Sequence, residues 1–131
     1  MARFAPLRRT ATPFAALLLA AVLVAPAAFA RTATGALPDV ALAELPPEAR
    51  AVSAQIVSGG PFRYDRDGVV FGNREKILPA KPRGYYHEYT VPTPHSTSRG
   101  ARRIVCGGPK KAPEACYYSD DHYASFRRIR E

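Results

Sequence analysis

Only one stretch of this chain carries helical periodicity, and that limits the fold more than any other feature. Ala49, Val52, Ile56 and Val57 recur at spacings of three to four within Leu45 to Ser58, so they line one face of a helix. Pro46 and Pro47 suit the first turn, where a missing N–H costs nothing. Glu48 lies where the helix dipole favours negative charge. Gly59, Gly60 and Pro61 stop the helix. One short amphipathic helix must lay its stripe on something else, and the remaining sequence offers strands. Val69 to Phe71, Tyr85 to Val91, Arg102 to Cys106, Cys116 to Tyr118 and Phe126 to Ile129 are short, apolar or alternating, and bounded by Gly, Pro, Asp and Ser. No second helix exists to carry a parallel crossover. The prediction is an α+β domain, one N-terminal helix packed on a single antiparallel sheet.

The 131 residues hold no more than one small domain. Residues 1–30 read as an export signal. Arg3, Arg8 and Arg9 precede an apolar stretch from Phe14 to about Ala28, and Ala28-Phe29-Ala30 fits a small-x-small cleavage site. A membrane-spanning helix is the competing reading. The stretch is shorter than the roughly 20 apolar residues a bilayer requires, and it contains Pro26. Cleavage after Ala30 removes three of the 19 basic residues and none of the 11 acidic ones, which leaves 16 against 11 and a net charge of +5. The expectation is a secreted, extracellular protein with no membrane attachment after processing. Residues 31–44 read as a loose lead-in, and 45–131 as the domain. Its predicted core comprises Leu45, Val52, Ile56, Phe62, Val70, Leu78, Tyr89, Val91, Ile104, Phe126 and Ile129, enough for one core and no more. The basic charge attracts polyanions without choosing among them. Export also favours pairing the two cysteines, Cys106 and Cys116, across a loop rich in Gly and Pro.

Strand parity sorts the charged residues. Along Tyr86 to Val91, one face carries His87, Tyr89 and Val91, and the other Tyr86, Glu88 and Thr90. Along Arg102 to Cys106, Ile104 shares a face with Arg102 and Cys106, and Arg103 with Val105. If Tyr89 and Ile104 face the helix, Glu88 and Arg103 both face away. A surface ion pair satisfies this pattern by itself. Arg99, Arg102 and Arg103 are expected near Glu88, and His122 and Tyr123 on a late turn. An ionised carboxylate, a histidine that titrates near neutrality and guanidiniums to hold an anion make a base, an acid and a clamp. That set suits phosphodiester cleavage in RNA, where the ribose 2′-OH is the nucleophile, and no metal or cofactor is required. Asp65, Asp67, Asp120 and Asp121 lack the order of a calcium loop and are assigned to turns.

The ordered set Gly60-Pro61-Phe62, Asp67-Gly68-Val69-Val70-Phe71-Gly72-Asn73-Arg74-Glu75, Leu78-Pro79, Gly84 to Val91, Arg99 to Gly107 and Asp121 to Phe126 resembles the secreted guanyl-specific bacterial ribonucleases, in the superfamily of barnase. The resemblance implies the microbial ribonuclease fold and metal-independent cleavage of single-stranded RNA 3′ of guanosine, through a 2′,3′-cyclic phosphate that is then hydrolysed to a 3′-phosphate. It implies Glu88 as general base, His122 as general acid, Arg103 and Arg99 as phosphate ligands, and Tyr123 in the nucleotide site. Phe71, Asn73, Arg74 and Glu75 would form the guanine loop. An acidic barstar-like inhibitor is the implied protein partner, and the enzyme is expected to be a monomer. The alternative function is a non-catalytic, basic secreted module that binds RNA or another polyanion. Two departures stand out. Gly72 replaces a longer polar residue, which predicts a looser loop. The family's disulfide between the two ends is absent, its first position falling at Ala41.

Overall fold

The computed structural model describes residues 35–131. The expected export signal, its cleavage site and the first residues of the lead-in lie outside that range. Helix α1 spans Pro47–Ser58, with Pro47 at its first position and Gly59 in the left-handed conformation just past its end (φ 83°). The Gly59 and Gly60 amides donate to the carbonyls of Ile56 and Gln55, which closes the last turn. Ala49, Val52 and Ile56 are buried, and each large aliphatic side chain so covered stabilises by roughly 1.5–3 kcal/mol. Val57, expected in the same stripe, is 61% exposed. It stands one residue, or 100°, beyond Ile56 and so turns off the buried face.

Among the described residues six strands form one sheet: β1 (Asp39–Ala41), β2 (Val69–Val70), β3 (Tyr86–Thr90), β4 (Arg103–Gly107), β5 (Ala115–Ser119) and β6 (Arg127–Arg130), in the order β1-β6-β5-β4-β3-β2. The ladder from β2 to β6 is antiparallel throughout. The pairing of β1 with β6 is parallel, which departs from the purely antiparallel expectation. Strands that are neighbours in sequence need a dedicated crossover to pair in parallel. β1 and β6 are joined by the whole domain, so no dedicated crossover helix is needed. The same pairing orders part of the lead-in: β1 is followed by a 3-10 turn at Leu42–Glu44. Pro38 accepts from the Arg128 amide, and Arg130 Nε lies 3.0 Å from Asp39 Oδ2. The two ends of the domain are thus joined by a short ladder and an ion pair.

The helix packs on the face bearing Tyr89, Val91, Ile104, Cys106 and Tyr118, with Val40 and Leu45 closing the cluster. Phe62 and Ile129, expected in the core, are partly buried against it. The opposite face is not left bare. Leu78, Tyr86, Val105, Tyr117 and Phe126 make a second buried cluster there, so the expectation of a single core fails. Four tyrosines within β3 and β5 supply apolar area to both faces and make two thin cores from a small domain. Val70 is 48% exposed, because it lies on a two-residue edge strand with no neighbour beyond it. Among the described residues no helix is long and apolar enough to cross a membrane.

Cys106 and Cys116 are directly opposite in the β4–β5 ladder and form a disulfide on the helix side of the sheet. His87 pairs with Cys106 across the β3–β4 ladder and so shares that face. Burial first, and Lys110 second, hold its pKa below the ordinary 6.5. Replacing both cysteines by serine is expected to lower unfolding free energy by about 2–3 kcal/mol, read from urea denaturation of the oxidised wild type and the double variant.

Candidate active site

The ladder between β3 and β4 places the first charged pair. Glu88 is opposite Val105, and Thr90 is opposite Arg103, so Glu88 and Arg103 are diagonal neighbours on the face away from the helix. Both are buried, at 6% and 2% exposure. They make no direct ion pair. The Tyr123 hydroxyl stands between them, donating to Glu88 Oε2 at 2.7 Å and accepting from Arg103 Nε at 3.0 Å. Burial, and then the bond to Glu88, raise the Tyr123 pKa above its ordinary 10.0. The phenol therefore remains protonated and serves as a neutral relay between a buried anion and a buried cation.

Arg103 is further fixed by bonds from Nη1 to the carbonyls of Gly100 (3.0 Å) and Arg102 (2.8 Å). With Nε and Nη1 occupied, Nη2 is the nitrogen left to meet an anion. Arg99 is held by Thr90 Oγ1, which accepts from Nε at 3.2 Å and Nη2 at 2.8 Å. The guanidinium within ion-pair distance of Glu88 is that of Arg66, with Nη2 at 3.6 Å from Oε1. Of the three arginines expected near Glu88, Arg103 is there through Tyr123, Arg99 is tied to Thr90 two residues along the strand, and Arg102 alone is on the other face. Arg102 has the parity of Ile104, and its charge acts on Tyr118 instead.

His122 and Tyr123 both have left-handed backbones, at φ 55° and 72°. Such angles are costly for residues with a β-carbon. Asp121 supports them. Its carboxylate accepts from the Ser119 hydroxyl and from the amide and hydroxyl of Ser125, and the Tyr123 amide donates to Ser119 Oγ. The His122 amide donates to the Ala101 carbonyl at 3.0 Å, tying this turn to the arginine loop. His122 is exposed, with its ring 5.0 Å from that of Tyr123. Phe71 stacks on Tyr123 at 5.2 Å and meets Phe126 edge-on at 5.9 Å. The second apolar cluster is therefore the floor of the site.

A cavity of about 410 Å³ opens above that floor. Phe71, Gly72, Asn73, Arg74 and Glu75 line it together with Glu88, His122 and Tyr123, and Arg66 and Phe126 also contribute. Neither Arg99 nor Arg103 lines it, and Arg103 adjoins it through Tyr123. The loop from Phe71 to Glu75 is clipped by Asn73. Its side-chain amide donates to the Leu78 carbonyl at 3.0 Å and accepts from the Leu78 amide at 3.1 Å. The clip uses one N–H and one lone pair of that amide and fixes the loop backbone. The Arg74 side chain lies beside Gly72, its Cγ at 3.6 Å from where a β-carbon would stand. Among the described residues no group of three His, Cys, Asp or Glu is placed to hold a metal ion.

Sequence reasoning missed Arg66, the relay role of Tyr123, and Asp121 with Ser119 and Ser125. The Arg66 signal was present: it lies three residues before Val69, which pairs with Glu88.

Residues 29–130 match the ribonuclease family. The guanyl-specific ribonuclease Sa of Kitasatospora aureofaciens is 53% identical over 90 residues, covering 69% of this chain and 91% of that protein. The guanyl-specific ribonuclease St of Saccharopolyspora erythraea is 51% identical over 94 residues, covering 72% and 89%. Solved structures of ribonuclease Sa2 are similar as well. One with guanosine-2′-cyclophosphate has a TM-score of 0.66 at 50% identity, covering 72% of this chain and 97% of that one. Another, with mononucleotides, has a TM-score of 0.69 at 50% identity, covering 74% and 97%.

The Asp121 anchor yields a prediction. Hydrogen bonds from Ser125, and then from Ser119, hold the Asp121 carboxyl below its ordinary 3.8. A carboxylate depressed on folding stabilises above its unfolded value, and that contribution is lost as pH falls through the folded value. Thermal melting below pH 3.8 should therefore fall less steeply in Asp121→Asn than in wild type. At neutral pH, Asp121→Ala should lower kcat/KM on RNA by about ten- to a hundredfold by releasing the His122 turn.

Proposed function

The chain belongs to the ribonuclease family of guanyl-specific bacterial enzymes, and we propose that Glu88 and His122 are the proton-transfer pair of its active site. The activity is endonucleolytic cleavage of single-stranded RNA after guanosine, through a cyclic phosphate. The observation that carries the assignment of residues is the single cavity shared by the Phe71–Glu75 loop, Glu88 and His122.

In this reading guanine enters the loop. Backbone N–H groups between Phe71 and Glu75 meet its O6 and N7, and the Glu75 carboxylate accepts from N1–H and the exocyclic amine. Adenine presents an acceptor at N1 and would leave Glu75 unpaired. Arg74 covers the base, and Tyr123 with Phe71 walls the nucleotide. Glu88 takes the proton from the 2′-OH as that oxygen attacks phosphorus. His122 protonates the departing 5′-oxygen, and the P–O5′ bond breaks to give the 2′,3′-cyclic phosphate. Arg103, through its remaining Nη2, and Arg99 stabilise charge on the non-bridging oxygens. In the slower second step the roles reverse: His122 takes a proton from water, and Glu88 returns one to the 2′-oxygen. The substrate supplies the nucleophile, so no metal is assigned a part, and DNA lacks the group required.

The basic n-region, apolar stretch and Ala28-Phe29-Ala30 support export with cleavage after Ala30, and the family match begins close to that point. The exposed cations around the site suit an acidic, barstar-like inhibitor, which opposite charge would attract. A monomer suffices, because one chain supplies every residue named.

The test is cleavage of GpN and ApN dinucleotides with a chelator present. GpN should be cleaved and ApN far more slowly, by at least about a hundredfold. Equal rates would remove the guanine assignment. The double substitution Glu88→Gln, His122→Gln should abolish turnover and retain RNA binding, whereas a non-catalytic binding module would show no turnover in either form.

A further inference from the structure

A second cavity, of about 480 Å³, lies against the other flank of the guanine loop. It shares Val70, Phe71, Gly72 and Arg74 with the first, and is completed by Lys81, Pro82 and Arg83. Three cations line it and no carboxylate does. Among the described residues none of the three is ion-paired. Uncompensated cations around one concavity repel each other and raise a positive potential that attracts anions.

The backbone that carries Lys81 and Arg83 is also held in place. The Tyr85 amide donates to the Pro82 carbonyl at 3.1 Å, which closes a turn over Pro82 to Tyr85. Proline fixes the backbone between the two basic side chains. The Tyr86 hydroxyl donates to the Pro79 carbonyl, pinning the start of the segment. Lys81 Nζ lies 5.1 Å above the Tyr85 ring, which orients the ammonium without neutralising it. Such a turn loses little entropy on binding.

We propose that Arg74, Lys81 and Arg83 form a phosphate site for the nucleotide link on the 5′ side of the bound guanosine. This rests on the guanyl-ribonuclease reading above. Glu88 and His122 line only the first cavity, so the 3′-phosphate of guanosine is processed there. The 5′-oxygen of the same ribose leaves in the opposite direction along the strand. The second cavity adjoins the base loop and contains none of the proton-transfer residues. The enzyme thereby reads the upstream strand by charge alone, and favours guanosines inside a chain over those at its 5′ end.

The test is calorimetric titration of the purified protein with 3′-GMP and with guanosine 3′,5′-bisphosphate, in wild type and in Lys81→Gln, Arg83→Gln, alongside cleavage of GpN, pGpN and GpNp. Wild type should bind the bisphosphate about five- to tenfold more tightly than 3′-GMP at low ionic strength, with the difference shrinking in salt. It should show a similar preference in kcat/KM for pGpN over GpN. The double variant should lose both preferences while cleaving GpN at the wild-type rate. Equal affinity for the two ligands in wild type overturns the site, as does a preference that survives the double substitution. A preference for GpNp in place of pGpN overturns the 5′ assignment. Failure to cleave GpN at all contradicts the ribonuclease reading instead, a result distinct from each of these.

Discussion

Tyr89 and Ile104 face each other across the central ladder and are pressed beneath helix α1. The placement of Glu88 and Arg103 follows from that contact. Because side chains alternate along a strand, burying these two sends Glu88 and Arg103 to the far face as diagonal neighbours. A slip of one residue in either strand would bury a charge beneath the helix and expose an aromatic or aliphatic residue, so the register of the core and the register of the site are one constraint. The disulfide between Cys106 and Cys116 pins the next ladder on the same helix-side face.

The far face solves a second problem, the burial of charge. Glu88 and Arg103 are nearly inaccessible, and neither neutralises the other directly. A tyrosine hydroxyl satisfies one group from each, and backbone carbonyls satisfy another part of the arginine. This arrangement leaves Glu88 Oε1 and Arg103 Nη2 free of Tyr123, the first toward Arg66 and the second unpartnered. The structural bonds thus use only part of each group. The strained backbone at His122 and Tyr123 belongs to the same economy, with Asp121 holding both residues at the mouth of the cavity.

Much of this was legible in the residues. Helix α1 announced itself through two prolines before and two glycines after a three-to-four apolar repeat, and β3 and β4 through alternation. Parity alone put Glu88 and Arg103 on one face. The assignment of roles to Glu88, His122, Arg103, Arg99, Tyr123 and the Phe71–Glu75 loop came from the family resemblance, since a carboxylate and an arginine at this spacing equally describe an ordinary ion pair. What escaped depended on contacts between distant segments. β1 is only three residues long and is a strand because β6 offers it an edge. The second core is built from tyrosines, whose mixed character hides them from a hydrophobic count. Arg66 carried no pattern of its own, and Asp121 was assigned to a turn, where it stands. Its importance comes from the backbone conformation it supports, which no local pattern encodes.

The account stands on the 2′-oxygen being the nucleophile, with Glu88 and His122 moving the protons. Phosphorus NMR of GpN turnover tests this directly. Guanosine 2′,3′-cyclic phosphate should appear first and decay to 3′-GMP, and neither species should form with Glu88→Gln, His122→Gln. Release of a 5′-phosphate, or of 3′-GMP with no cyclic phosphate ever formed, would contradict it.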